Sequence, residues 1–200
     1  MALPPLHEAA SVGALVSLRE LLACGVDDVD ARDGSGRGRT ALHWAALNGR
    51  TACLKALLAA GASLRSTDVY GFTALHLASA HGYAKCVRAL LAAGAHVNRA
   101  NVAGRTPFTS ALCYGRCRVL KILLRAGADV RTETGTRNND NSSAWALVDE
   151  IRAAGGWQKY VTRRRATLVR AISDGFRGKF PEVIYAEIAP YMEAPGGDDD

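Results

Sequence analysis

Thr40-Ala41-Leu42-His43-Trp44-Ala45-Ala46 returns thirty-three residues later as Thr73-Ala74-Leu75-His76-Leu77-Ala78-Ser79. After another thirty-three comes Thr106-Pro107-Phe108-Thr109. Gly49, Gly82 and Gly115 keep the same step, as do Gly61, Gly94 and Gly127. Upstream, Leu6-His7-Glu8-Ala9-Ala10, Gly13 and Gly25 read as a first copy displaced by thirty-six. The three surplus residues fall between Gly25 and Thr40: one near Asp27-Asp28, two in Gly34-Ser35-Gly36-Arg37. Insertions between units rather than within them are what stacked helical units tolerate.

Within each copy the pattern is helical. Two apolar pairs one turn apart follow each inter-helix glycine: Cys53-Leu54 with Leu57-Leu58, Cys86-Val87 with Leu90-Leu91, and Val119-Leu120 with Leu123-Leu124. Copy one has Leu18 and Leu21-Leu22 in these places. The spacing draws a broad apolar stripe along one helix face. The preceding helix is short and rich in alanine, so a neighbouring helix can approach closely. Thr40, Thr73 and Thr106 stand where an N-cap hydroxyl accepts a backbone N–H, and Pro107 stands at N1, where its missing donor costs nothing. Gly49, Gly82 and Gly115 stand where the short helix must stop in a left-handed conformation.

These motifs resemble the ankyrin repeat. The resemblance implies an all-α solenoid of stacked helix-turn-helix units, each with a hairpin-like loop, spanning about residues 5–32, 33–66, 67–99 and 100–132 of a 1–135 array. It also implies that the motif histidine hydrogen-bonds backbone in its own and the adjacent unit, a role that falls on His7, His43 and His76. Copy four departs from the pattern, with Thr109 and Phe108 in place of His and Leu, so the resemblance does not carry the bridge over to that unit. Residues 136–175 read as a degenerate fifth repeat, a helical C-terminal cap. Its polar Gly135–Asn141 stretch suits an enlarged loop, Val148–Ala154 a first helix, and Trp157–Ile172 a second, with Trp157 and Tyr160 as core anchors. Residues 176–200 read as one short helix, starting near Phe180-Pro181-Glu182, and an acidic disordered tail.

Composition agrees. In 200 residues, apolar types make up 48% and charged types 22%, and alanine fills 36 positions while aromatics are scarce at 6%. That excludes a disordered chain and disfavours large β-sandwiches and barrels. The start lacks a basic leader region and no apolar run reaches a spanning length, so neither a secretory leader nor membrane insertion is expected. Five cysteines without paired spacing argue against a disulfide framework and for a reducing compartment, cytoplasm or nucleus.

The formal charge of +6 is unevenly spread. Between 151 and 180 lie eight basic residues, Arg163, Arg164 and Arg165 among them, against the single acid Asp174. This basic patch suits either a solvated outer face or electrostatic association with nucleic acid through 152–179. The run Phe180–Ile188 resembles the opening of an F-box helix, and ankyrin arrays ending in SOCS-box-like segments form a known architecture. Either would make the chain a substrate-recognition subunit of a ubiquitin ligase.

No catalytic constellation assembles, so a non-enzymatic chain is expected, with no cofactor. His76, His81 and Cys86 are spaced by five. His76 belongs to the repeat motif, and Cys86 occupies the apolar stripe, as Cys53 does one unit earlier. Packing therefore explains them better than metal binding. Gly34-Ser35-Gly36-Arg37-Gly38-Arg39 lacks the ending of a phosphate-binding loop and reads as an inter-repeat finger.

What remains is a surface. In ankyrin proteins the partner-reading positions flank the turn glycine and precede the inter-helix glycine. They map here onto Arg39 and Asn48, then Tyr70, Phe72 and His81, then Arg105 and Tyr114. Large aromatics and arginines at such places dominate binding energies. The sequence thus predicts a monomeric protein-interaction module, a scaffold or adaptor, whose partner is another protein held on the concave face.

Overall fold

A computed structural model describes residues 3–25, 28–130 and 142–173. Ten helices and no strand occur among them: α1 (Pro5–Val12), α2 (Leu15–Ala23), α3 (Ala41–Leu47), α4 (Thr51–Ala59), α5 (Ala74–His81), α6 (Ala84–Ala92), α7 (Pro107–Cys113), α8 (Cys117–Arg125), α9 (Ser142–Ala153) and α10 (Trp157–Ser173). The expected helix after Phe180, the acidic tail and the loop before Asn141 lie outside the described residues.

Thr40, Thr73 and Thr106 hold extended backbone at the N-caps of α3, α5 and α7. The hydroxyl and N–H of Thr40 lie 2.9 and 3.2 Å from His43 Nδ1, and those of Thr73 lie 2.8 and 3.2 Å from His76 Nδ1. One imidazole nitrogen thus satisfies an orphan donor at each helix start. At the other end, Gly82 has φ +82°, a conformation that any side chain would strain, and there α5 stops.

Helices α1, α3, α5 and α7 pack side by side in one row, and α2, α4, α6 and α8 form a second row behind them. The apolar stripe of the second row closes the core: Leu54, Leu57, Leu90, Leu120 and Leu123 are fully buried. At roughly 1.5–3 kcal/mol for each such side chain, this burial is the main force that stacks the units. Phe108, also fully buried, fills the place that leucine holds in the other copies. Alanines at 41, 45, 46 and 78 are fully buried too and let the first-row helices lie close.

Polar bridges stitch one unit to the next. His7 Nε2 lies 2.9 Å from Ala31 O, His43 Nε2 3.0 Å from Phe72 O, and His76 Nε2 3.0 Å from Arg105 O. Thr109 makes no such reach. Its hydroxyl accepts from Thr106 N at 2.8 Å and donates back to Thr106 O at 2.9 Å, so it caps its own helix and nothing else.

The segment read as a degenerate fifth repeat differs from the expectation. Its first helix starts at Ser142, not Val148. Ala144, Trp145, Val148 and Ile151 are buried along one face at helical spacing, so the apolar stripe starts a turn earlier than the repeat alignment suggests. Helix α9 packs on α8 of the second row. Tyr160 is buried, with Trp157 stacked on it at 5.6 Å.

Candidate functional site

The hairpin-like fingers that precede α3, α5 and α7 share one design. Each starts with a side chain that accepts backbone donors from the finger itself. Asp68 Oδ1 accepts from Tyr70 N at 3.0 Å and Phe72 N at 2.9 Å. Asn101 Oδ1 accepts from Ala103 N at 3.0 Å and Arg105 N at 2.8 Å. Asp33 Oδ1 accepts from Arg39 N at 2.9 Å, two residues further along than the equivalent bond in the other fingers. The Gly34–Arg37 insertion therefore lengthens the finger without disturbing its base. Asp33 Oδ2 accepts from Ser35 Oγ at 2.7 Å and Trp44 Nε1 at 2.8 Å. Burial raises the carboxyl of Asp33, but these bonds outweigh it and hold the group below the ordinary carboxylate value.

The fingers also pair with one another. Val69 N donates to Arg37 O at 3.0 Å, and Val102 N donates to Tyr70 O at 3.1 Å. Gly71, at φ +78°, lies against that second contact: a Cβ there would sit 2.8 Å from Val102 N. Finger position is thereby set by backbone, and the side chains on it inherit that precision.

Behind the fingers opens a cleft of about 360 Å³ lined by Arg37, Arg39, Leu47, Asp68, Tyr70, Phe72, Leu77, Ala80, His81, Arg105, Ser110, Cys113, Tyr114 and Arg116. Six of the seven partner-binding candidates meet here: Arg39, Tyr70, Phe72, His81, Arg105 and Tyr114. Tyr70 is 56% exposed and Tyr114 60%, one from the third unit's finger and the other from the end of α7. Phe72 is half-buried and stands edge-on to His76 at 5.7 Å, so it serves the repeat bridge as well as the wall. His81 stacks on Tyr83 at 5.9 Å. Partial burial and the nearby Arg116 and Arg39 guanidiniums hold its imidazole below the usual value.

Asn48 is placed elsewhere. Its amide donates to Ser11 Oγ and to Trp44 O, both at 3.1 Å, tying α3 to α1 at the C-terminal end of its helix. Arg39 is in the cleft wall but not free. It is buried, pairs with Asp68 at 3.7 Å and lies over the Trp44 ring at 5.5 Å. Burial and the neighbouring Arg37 lower its guanidinium, while Asp68 and Asp33 oppose the shift. Sequence reading missed Arg37 and Arg116. Arg37 belongs to the inserted residues, which no repeat position numbers. Arg116 starts a second-row helix and turns back, its Nε donating to Ala80 O at 3.0 Å.

Among the described residues no three His, Cys, Asp or Glu are placed to hold a metal ion. Cys53 and Cys86 are fully buried, and burial pushes both thiols up. Arg163 and Arg164 are exposed on α10. No described helix is long and apolar enough to cross a membrane.

A helical solenoid with a cleft behind its fingers is a recognition scaffold, with its side chains committed to packing, capping and surface. The family model described as ankyrin repeats (3 copies) matches residues 6–101 and 71–134, and the chain belongs to the ankyrin-repeat family. Among solved structures, the human ASB11 ankyrin repeat domain is similar with a TM-score of 0.58 and 37% identity, over 64% of this chain and 56% of that one. Among curated proteins, zinc finger CCCH domain-containing protein 24 of Oryza sativa subsp. japonica is 48% identical over 71 residues, 34% of this chain. The match spans only 9% of the rice protein's length. Ankyrin repeats are protein-interaction modules without catalytic machinery of their own.

Proposed function

We propose that the chain is a non-enzymatic adaptor that captures a protein partner in the cleft formed by its second, third and fourth units. The observation that carries this reading is the pair Tyr70 and Tyr114. Two large aromatics from neighbouring units stay more than half exposed beside one cavity, with no packing duty to account for them. Such rigid amphipathic rings contribute disproportionately to binding energy. The backbone pairing of the fingers supports the reading further, because an ordered surface loses little entropy on association.

Capture on the immobilised full chain, followed by mass spectrometry, identifies the partner. The variant Tyr70→Ala with Tyr114→Ala is expected to lose it while thermal unfolding stays within a few degrees of the parent. At about 2 kcal/mol for each anchoring ring, the affinity falls by roughly a thousandfold. Unchanged capture by a folded double variant would place the interaction surface elsewhere.

A further inference from the structure

The cleft carries an imbalance of charge. Four guanidiniums line it, from Arg37, Arg39, Arg105 and Arg116, with Asp68 as the one acid. Asp68 is already committed: Oδ1 accepts two finger N–H groups, and Oδ2 faces Arg39. No carboxylate among the described residues lies within ion-pair distance of Arg37, Arg105 or Arg116. All three are exposed; Arg37 comes from the second unit, and Arg105 and Arg116 come from either side of α7 in the fourth. Their convergence is a product of the stack, not of any local run of sequence.

Between these charges the wall is apolar and aromatic, formed by Leu47, Leu77, Phe72, Tyr70 and Tyr114. A cavity of about 360 Å³ lies at the small end of ligand-sized sites, enough for an anchoring side chain but not for a folded element. Burial is the first cause that holds the Arg39 guanidinium and the His81 imidazole down, and the clustered charges add to it: Arg37 on Arg39, Arg116 and Arg39 on His81.

We propose that the cleft recognises an acidic peptide segment of the partner, with one bulky apolar side chain seated among Tyr70, Phe72 and Tyr114 and flanking carboxylates on Arg37, Arg105 and Arg116. This rests on the reading of the cleft as the partner site and adds the partner's chemistry to it. Guanidinium forks bind carboxylates bidentately, so the arginines supply orientation as well as attraction. Peptide is favoured over nucleic acid because the charges ring a single small cavity rather than tracking along a groove as a phosphate backbone requires. Asp68 has a second task under this arrangement. By pairing with Arg39 it keeps the deepest guanidinium in the wall and leaves the three outer ones for the ligand.

The test is selection of a random twelve-residue peptide library, displayed on phage, against the full chain. Enriched peptides are synthesised with a fluorophore and titrated by anisotropy. The expected consensus has at least two Asp or Glu around one aromatic or leucine. Its affinity is expected to fall at least tenfold in Arg37→Gln with Arg105→Gln, and several-fold from 50 to 500 mM salt. Both arginines are exposed, so circular dichroism of that variant should match the parent. Absence of enrichment, a neutral or basic consensus, or displacement of the peptide by a twelve-nucleotide oligouridylate at lower concentration than by unlabelled peptide overturns the proposal. The two readings separate in Tyr70→Ala with Tyr114→Ala. A non-acidic peptide whose binding this variant abolishes refutes only the charge preference. A peptide whose binding it leaves intact refutes the cleft itself.

Discussion

Acidification should loosen the stack through His76, and the size of the effect follows from the bonds the ring makes. His76 is fully buried. Its Nδ1 faces Thr73 N–H, and its Nε2 donates to Arg105 O, which can only accept. The neutral tautomer is thus the one that fits, and a second proton on Nδ1 would oppose the Thr73 donor. Burial pushes the imidazole down to about 4, against an ordinary value near 6.5. Above pH 6.5 neither the folded nor the unfolded chain carries this proton, and stability is level. Below 6.5 the unfolded ring takes it up and the folded ring does not, so stability falls until about pH 4. At 1.36 kcal/mol per pH unit, the loss approaches about 3 kcal/mol, and at pH 4.5 it is about 2.5 kcal/mol. For a unit of this size that corresponds to a melting temperature roughly 5–10 °C lower. His43, also depressed mainly by burial, adds in the same direction. The control is His76→Thr, the residue that copy four itself uses as Thr109. It can keep the helix cap but loses the bridge to Arg105, and it should be less stable than the parent by about 2–3 kcal/mol at pH 7.5. Thermal melts of both proteins from pH 4.5 to 8 should show that gap closing towards low pH. Parallel pH profiles would refute the reasoning, because the carboxylates are common to both chains.

Other changes test other links. Gly71→Ala puts a Cβ at φ +78° and 2.8 Å from Val102 N. It should cost about 2 kcal/mol or more and weaken partner capture, measured by chemical denaturation and by binding, because Tyr70 rides on that finger. Asp68→Ala strands the buried Arg39 and leaves two finger N–H donors without their shared acceptor, so a loss of roughly 3–5 kcal/mol is expected in urea melts. Phe108→Ala should cost about 3–5 kcal/mol, since the ring is fully buried. Native-state titration with a thiol-reactive disulfide should label exposed Cys24 first and spare Cys53 and Cys86, whose thiols are buried and raised.

Much of the architecture was legible along the chain because it is local and repeated. The thirty-three-residue step, the capping threonine and the apolar pairs each act within one unit or on its neighbour. The histidine bridges could be expected from the family for the same reason. Where the repeat decays, the reading weakened. Helix α9 begins at Ser142 because burial of Ala144 and Trp145 outweighs the register of the lost motif.

The candidate cleft was only half visible. Tyr70, Phe72, Arg105 and Tyr114 occupy repeat positions, and a repeat's geometry carries them to one face. Asn48 occupies such a position too, yet Ser11 of the preceding unit takes its amide, a partnership between residues thirty-seven apart. Arg37 has no repeat-based signal; Arg116 has one that is easily passed over, because Arg50 holds the same repeat position and its Nε donates to Ser11 O in the same way. One rides on an insertion and the other turns back over the end of α5. The sequence by itself determined the stacking, because burying identical apolar stripes has one repetitive solution. Only the tertiary structure decided which charges face the cleft and which are spent on each other, because Coulomb energies depend on distances across units that no periodicity encodes.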